Sequence, residues 1–304
     1  MDFTRTEAAQ DLSGLVGTIV DAVCTPQHQR KLDGLDQRFD QELWRKLIDA
    51  DILSTAAPES VGGGGFGVLE QTAILTALGR QLAAVPYLES VVLAAGALAK
   101  FGSPELQQQL AAPAVAGEKI ITVALDGELG LGPVQATGSE DRFRLTGTRT
   151  QVEFAPVADA FLVPAETDSG TRVFLVAAGD PGVSVTPLET TGLGSIGELD
   201  LSGVEVGADR IVGDADTLTW LGTHKTLGHT AFQLGVLERA LELTAEYART
   251  REQFDRPIGS FQAVAQRLAD DYIDIKGLRL TLTQAAWRLS EDLPADVEVA
   301  TAAF

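Results

Sequence analysis

Hydrophobic and polar positions follow three successive patterns along the chain. Up to about residue 118 the apolar residues recur with a helical period, as in RFDQELWRKLIDADIL, where Leu43 and Leu47 share a face with Phe39 and Ile48. Residues 119–213 consist of short β-branched runs separated by Gly, Pro, Asp and Ser, which is typical of strands. From Asp214 onward the helical period returns.

This order predicts an α+β multidomain protein. We expect an N-terminal helical domain over 1–118, a middle β-barrel or β-sandwich domain over 119–213, and a C-terminal helical bundle over 214–304. No helix-length periodic segment interrupts the middle part, which disfavours a βαβ parallel sheet. The four glycines of PESVGGGGFG have neither P-loop nor dinucleotide-binding spacing, so they predict a turn between two helices.

Two long helices dominate the C-terminal part. The first is expected over about 215–252 and carries one apolar stripe, formed by Val236, Ala240, Leu243 and Tyr247. The second starts at Phe261 and should turn inward Val264, Leu268, Ile275, Leu278 and Leu282. A third helix is expected to start near Pro294. Two such helices leave apolar faces uncovered, so we expect further chain beyond residue 304 or another subunit to cover them.

Composition excludes several classes of partner. The net charge of -20 repels nucleic acid and anionic membranes. The longest clean apolar run, VVLAAGALA at 91–99, is too short to span a bilayer, and MDFTRTEAAQ does not resemble a signal peptide. The single cysteine, Cys24, suits a reducing compartment, so we expect a cytoplasmic protein. His224 and His229 have the wrong spacing for one helical face, and we predict no metal site.

The stretch REQFDRPIGSFQAVAQRLADD, residues 251–271, carries the clearest candidate chemistry. A Pro-Ile-Gly break joins the end of one long helix to the start of the next. A guanidinium binds phosphate oxygens through two parallel N–H bonds, and a helix N-terminus adds positive partial charge. The pattern predicts an anion site at Arg251. The alternative is that Arg251 is a solvated charge at a helix end, favoured by the helix dipole.

The order helical, β, helical, with R-x-x-F-x-x-P-I-G-x-F-Q between the last two long helices, resembles the acyl-CoA dehydrogenase family. The resemblance covers the whole chain and is strongest over 239–271, with support from PESVGGGGFG and the LEQTAILTALGRQLAAVP that follows. It implies FAD bound at an interface between subunits. The flavin ring would lie in the middle domain of one subunit, and the diphosphate and adenine would reach the Arg-x-x-Phe segment of its neighbour.

The resemblance also implies roles for individual residues. Arg251 would pair with the diphosphate, Phe254 and Ile258 would pack on the ribityl-adenine part, and Gln253 and Gln262 would offer hydrogen bonds. The family usually has glycine where this chain has Asp255.

Other positions depart from the family pattern. The loop that cradles the flavin is replaced by ALDGELGLG, with Leu125 where a threonine is usual, and the family's Trp-x-Ser/Thr pair is replaced by Gln151 and Glu153. A carboxylate near a ring that becomes anionic on reduction is unfavourable. Most members of the family carry the carboxylate base near the end of the bundle, which corresponds to a position beyond residue 304. Others carry it at the start of the first C-terminal helix, where LGTHKTLGHTAF contains no carboxylate, so no catalytic residue is assigned. His224 and His229 are alternative bases.

Together, the retained and lost features resemble one subunit of the heterotetrameric (α2β2) acyl-CoA dehydrogenases of actinobacterial sterol degradation. The resemblance therefore implies an oxidoreductase subunit that acts on an acyl-CoA and shares FAD with a related partner subunit. The sterol analogy implies a steroid-derived acyl group. Electrons would pass to an electron-transfer flavoprotein. Two alternatives stay open: a self-sufficient homotetrameric acyl-CoA dehydrogenase, and an FAD-free scaffold or acyl-CoA-binding subunit.

Overall fold

The computed structural model describes residues 3–125, 131–139 and 141–304. Helices precede residue 118, strands follow up to Asp214, and helices resume at Ala215, which confirms the predicted fold class. The chain forms two compact units, one built from Met1–Cys24, Val68–Ala83 and Thr226–Phe304 and the other from Thr25–Gly67 and Ala84–Lys225. The boundaries of the three domains stay a prediction.

Short helices make up the N-terminal part. Their bounds are α1 Glu7–Val23, α2 Pro26–Leu32, α3 Gln41–Asp49, α4 Ile52–Thr55, α5 Val68–Gly79, α6 Gly96–Phe101, α7 Pro104–Leu106 and α8 Ala112–Val115, with π-helical turns over Tyr87–Ala95 and Gln107–Ala111. Side-chain oxygens of Thr6, Thr25, Asp40 and Ser103 cap the N-termini of α1, α2, α3 and α7. The buried Asp40 accepts hydrogen bonds from the backbone N–H of Leu43 and from Nε2 of His28.

The glycine run is a turn between helices, as predicted. It follows one 3-10 turn, Glu59–Val61, and leads into α5. A Cβ on Gly63 would lie 2.0 Å from the carbonyl oxygen of Ala57, so only glycine fits this close backbone approach.

The middle part is one mixed sheet. Its strands are β1 Ile121–Val123, β2 Val134–Ser139, β3 Arg142–Glu153, β4 Ala160–Thr167, β5 Gly170–Ala177, β6 Val183–Leu188, β7 Ile196–Gly207 and β8 Ile211–Asp214. The hydrogen-bonded order is β6-β7-β3-β2-β4-β5-β8, and β1 pairs with β4. Most pairs are antiparallel, but β1 and β2 each run parallel to β4. Alternate apolar residues form its core, among them Leu145, Phe161, Val163, Phe174, Leu199 and Leu201.

The C-terminal part contains the two predicted long helices, α9 Ala215–Thr250 and α10 Gln262–Ser290, and then α11 Asp296–Ala303. Of the residues predicted to face inward on α10, Ile275 and Leu282 are buried and the other three are partly buried. The α9 stripe is apolar but largely uncovered, since Leu243 is 54% exposed and Tyr247 is 59% exposed. No helix among the described residues is long and apolar enough to cross a membrane.

A buried carboxyl pair lies between the π-helical turn at 87–95 and the end of β3. Glu89 is buried and hydrogen-bonded to Glu153. Burial raises the pKa of Glu89 well above its usual range, and the nearby charge of Glu153 raises it further, while the positive charge of Lys225 acts in the opposite direction. The surroundings of Glu89 therefore favour its neutral, protonated form.

Helices α5 and α9 approach each other through glycine. A Cβ on Gly79 would lie 2.0 Å from the carbonyl oxygen of Phe232, and a Cβ on Gly235 would lie 2.0 Å from that of Thr76. Both distances are far below van der Waals contact, so the two helix backbones can touch only where side chains are absent.

We expect Gly235→Ala to lower the free energy of unfolding by about 1–3 kcal/mol, because the helices must separate. This loss should appear even though alanine favours a helix interior by about 1 kcal/mol. Gly277→Ala in α10, where a Cβ meets nothing within 4 Å, is the matched control and should stabilise slightly. Thermal unfolding of both variants tests this, and equal midpoints would contradict the close crossing.

Glu89→Gln should flatten the pH dependence of stability. Because its pKa is raised by folding, Glu89 favours the folded state fully only below its unfolded pKa of about 4.3. Above that pH the wild type should lose up to about 1.4 kcal/mol per pH unit until the folded pKa is passed. A neutral amide avoids this loss. Thermal midpoints from pH 4 to 8 measure it, with the exposed Glu118→Gln as control. A constant difference between Glu89→Gln and wild type would contradict the assignment.

Candidate functional site

The chain reverses direction between α9 and α10 through a small ribbon. Strands β9 Glu252–Gln253 and β10 Arg256–Pro257 pair antiparallel, and a 3-10 turn over Ile258–Ser260 leads into α10. The backbone N–H of Ile258 donates to the carbonyl oxygen of Arg251 at 2.8 Å, which extends the ribbon by one pair. We call residues 251–262 the helix corner. The predicted Pro-Ile-Gly break is thus the end of the second strand of a hairpin and the 3-10 turn that leads into α10.

The tip of the helix corner has an unusual backbone. Phe254 and Asp255 have φ values of 55° and 59°, both in the left-handed region. Two-residue hairpin loops of the favoured type require a positive φ at both positions. Asp tolerates this region, whereas Phe pays about 1–2 kcal/mol for it. The ribbon geometry therefore explains why glycine is usual at position 255 in the family and how Asp255 replaces it.

The five predicted cofactor-binding residues all lie in the helix corner. Arg251 is exposed and forms no ion pair within the described ranges 3–125, 131–139 and 141–304. Phe254 is 87% exposed, and its ring meets that of Phe261 edge-on at 6.2 Å between centroids. Gln262 is the exposed first residue of α10, Ile258 is half-buried, and the Gln253 side chain donates to the carbonyl oxygen of Glu252 at 2.8 Å.

The N-terminus of α10 is open to an anion. Its N-cap, Phe261, offers no side-chain hydrogen bond, and the first turn contains no acidic residue. The first N–H groups of this 29-residue helix therefore carry uncompensated positive partial charge. Together with Arg251 they give a local positive site on a protein whose net charge is -20. The helix corner fits the diphosphate of a nucleotide cofactor.

The segment predicted to replace the flavin-contacting pair does not fit a flavin. Gln151 and Phe154 both have positive φ, and the register of β3 against β7 shifts between Arg149 and Val152. Glu153 directs its carboxyl to Glu89, and its carbonyl oxygen accepts from Thr122 Oγ1. The carboxyl residue Glu153, hydrogen-bonded to Glu89, thus stands where the resemblance places a neutral flavin contact. Of the loop ALDGELGLG, residues 126–130 lie outside the described residues.

His224 is buried as a neutral side chain. It stacks on Trp220 at 3.8 Å between ring centroids, and its Nδ1–H donates to the carbonyl oxygen of Trp220 at 2.9 Å. Burial, with a smaller contribution from Lys100, lowers the pKa of His224 to about 4.

His229, the second histidine considered as a base, lines an open groove of about 1370 Å³ between α9, α10 and α11. No three His, Cys, Asp or Glu residues cluster as metal ligands in the part of the chain described.

Two features of the site were not predicted from the sequence. Arg256 stacks its guanidinium on the ring of Phe261 at 4.1 Å, and Glu89 is the partner of Glu153. Strand alternation within the ribbon could have indicated that Arg256 shares a face with Arg251. The sequence PYLESVVLAAGALA could have indicated that Glu89 is buried, because it is one glutamate in an otherwise apolar segment.

Comparison with known proteins gives consistent matches along the chain. The family model for the acyl-CoA dehydrogenase N-terminal domain matches residues 6–118, and that for the C-terminal domain matches residues 219–304. Acyl-CoA dehydrogenase FadE27 of Mycobacterium tuberculosis is 74% identical over 312 aligned positions, which cover 100% of this chain and 84% of the relative.

Solved structures agree. The crystal structure of the ChsE4-ChsE5 complex from Mycobacterium tuberculosis matches with a TM-score of 0.98 and 76% identity, covering 100% of this chain and 83% of that one. A Tcur3481-Tcur3483 steroid ACAD variant matches with a TM-score of 0.91 and 36% identity over 98% of this chain and 81% of that one. From these matches, the chain belongs to the acyl-CoA dehydrogenase family.

Proposed function

We propose that this chain is the FAD-completing subunit of a heteromeric acyl-CoA dehydrogenase. One contrast carries the proposal: Arg251, which forms no ion pair among the described residues, is open to a diphosphate at the helix corner, while Glu153, bonded to Glu89, replaces a neutral flavin contact. The chain thus presents the half-site that a neighbour's FAD needs and lacks the half-site for a flavin of its own. The 76% identical match is to a complex of two chains, ChsE4 and ChsE5, which supports a heterotetramer.

The reaction is that of the family, α,β-dehydrogenation of an acyl-CoA thioester. Bound FAD supplies the two-electron acceptor, and an electron-transfer flavoprotein is the proposed next carrier. In this chain Arg251 binds the diphosphate through its N–H groups, Gln253 and Gln262 add hydrogen bonds, and Phe254 with Ile258 covers the ribityl-adenine part. The exposed ring of Phe254 is then buried by the cofactor and the neighbouring subunit.

The partner subunit supplies the catalytic base and the flavin cradle. His224 is a poor candidate base, because it is stacked on Trp220 and its Nδ1 is already bound to a carbonyl oxygen.

The proposed substrate is a steroid-derived acyl-CoA, which would place the enzyme in steroid degradation, a branch of lipid metabolism. The steroid-derived substrate is supported by the 36% identical match to a steroid ACAD.

We further propose a cytoplasmic location, in keeping with the single buried cysteine, Cys24.

Arg251→Ala should weaken FAD binding to the complex of this chain and its partner by about 1.5–3 kcal/mol, roughly 10- to 150-fold, the range for a hydrogen bond to a charged group. Fluorescence titration of the apo complex with FAD measures the dissociation constant. Arg249→Ala is the matched control, since Arg249 is an exposed arginine of α9 paired with Glu246. Unchanged affinity in Arg251→Ala, or an equal loss in the control, contradicts the proposal.

Expression of the chain alone separates the three candidate functions. We expect it to purify without flavin, and to give a yellow, active protein only when co-expressed with a related acyl-CoA dehydrogenase chain, with one FAD for each pair of chains. The absorbance spectrum and the flavin content after denaturation measure this ratio. A yellow, active protein from the single chain indicates a homotetramer, and a flavin-free complex indicates a scaffold.

A further inference from the structure

The ribbon of the helix corner sorts its side chains onto two faces. Its cross-strand pairs are Gln253 with Arg256 and Glu252 with Pro257, and the hydrogen bond from Ile258 to Arg251 continues the ladder. Side chains alternate along a strand, and residues that pair across strands share a face. Arg251, Gln253, Arg256 and Ile258 therefore lie on one face. The opposite face carries Glu252 and Pro257.

Three of these four residues were already assigned to the cofactor, and Arg256 is the fourth. Arg251 and Arg256 are diagonal neighbours across the ribbon, a relation that places their Cβ atoms roughly 7–8 Å apart. Arginine side chains are long enough for two guanidiniums at this spacing to reach one diphosphate. The only carboxylate of the two short strands, Glu252, is on the other face.

Arg256 is held in place without using its hydrogen-bond donors. Its guanidinium lies 4.1 Å from the centre of the Phe261 ring, and Phe261 in turn meets Phe254 edge-on. A guanidinium that stacks on an aromatic ring keeps its N–H groups directed outward in its own plane. Stacking therefore restricts the side chain before a ligand arrives and leaves its donors open.

Neither arginine of this face is neutralised. Within the ranges that the structure describes, Arg251 and Arg256 form no ion pair, although Arg249, two residues before Arg251, pairs with Glu246. Asp255, next to Arg256 in sequence, is at the tip of the ribbon and belongs to neither ladder pair, and Glu252, next to Arg251, lies on the opposite face. The face therefore carries two positive charges and one amide.

We propose that Arg256 is a second cofactor-binding cation, which acts with Arg251 on the diphosphate so that each phosphate faces one guanidinium. This inference rests on the proposed function. It also accounts for Asp255: in a corner where the family usually has glycine, the added negative charge is offset by Arg256. Arg256 contacts the cofactor directly and takes no part in proton or hydride transfer.

The test uses the complex of this chain with its partner and FAD as the probe. Two variants separate charge from packing: Arg256→Ala removes both, and Arg256→Met keeps an aliphatic side chain over Phe261. We expect both to weaken FAD binding about three- to tenfold, which is less than the full effect of a hydrogen bond to a charged group because the site is exposed in this chain. Arg249→Met, with the same change in net charge, should leave the affinity unchanged.

The salt dependence of the FAD affinity distinguishes an ionic contact from a packing role, because a packing role would leave that dependence unchanged. Repeating the titrations from low to high salt should give a shallower loss of affinity for Arg256→Met than for the wild type, because one ionic contact is absent. Wild-type affinity or an unchanged salt slope in Arg256→Met would show that Arg256 only supports Phe261 and would overturn the inference. If Arg256→Met behaves like the wild type while Arg251→Ala binds FAD weakly in the same experiment, only this inference fails and the proposed function still stands. If neither substitution changes the FAD affinity, the inference and the proposed function both fail.

Discussion

The fit between guanidinium and diphosphate is the interaction on which the interpretation of this molecule depends. At the break between α9 and α10 the chain closes a two-stranded ribbon whose tip residues, Phe254 and Asp255, adopt left-handed backbone angles. Such a tight, costly turn serves to place side chains rather than to join helices by the shortest route. It turns Arg251 to one face with its donors unpaired and leaves the N-terminus of α10 uncapped. An anion with two phosphates satisfies all of these groups together.

The end of β3 supports the proposal that this anion belongs to a neighbour's cofactor. A flavin that becomes anionic on reduction needs neutral or positive contacts, and the end of β3 offers Glu153 hydrogen-bonded to Glu89. In the proposed arrangement one subunit supplies binding groups and another supplies the environment of the flavin ring. Binding energy from a remote part of the cofactor would then contribute to a reaction in a different chain.

Much of this could be predicted from the sequence, and the physical reason differs by region. Periodicity located α9, α10 and the strands because burial of one face sets the pattern. The glycine run was predicted as a turn because glycine permits close backbone contacts locally, as Gly63 shows. The apolar stripe of α9 and the presence of an uncovered apolar face were both predicted, and Leu243 and Tyr247 are exposed, but periodicity does not tell what covers such a face. The contacts of Arg256 with Phe261 and of Glu89 with Glu153 were not predicted, because only folding brings each pair together.

The carboxyl pair has a consequence for how such a chain can change. Replacing Glu153 by a hydroxyl residue, as a flavin contact would require, removes the hydrogen-bond partner of the buried Glu89 and leaves that carboxyl in a site built for two. Replacing Glu89 instead changes what the Glu153 carboxyl meets. The two positions are therefore energetically coupled, and the effect of a substitution at one depends on the residue at the other.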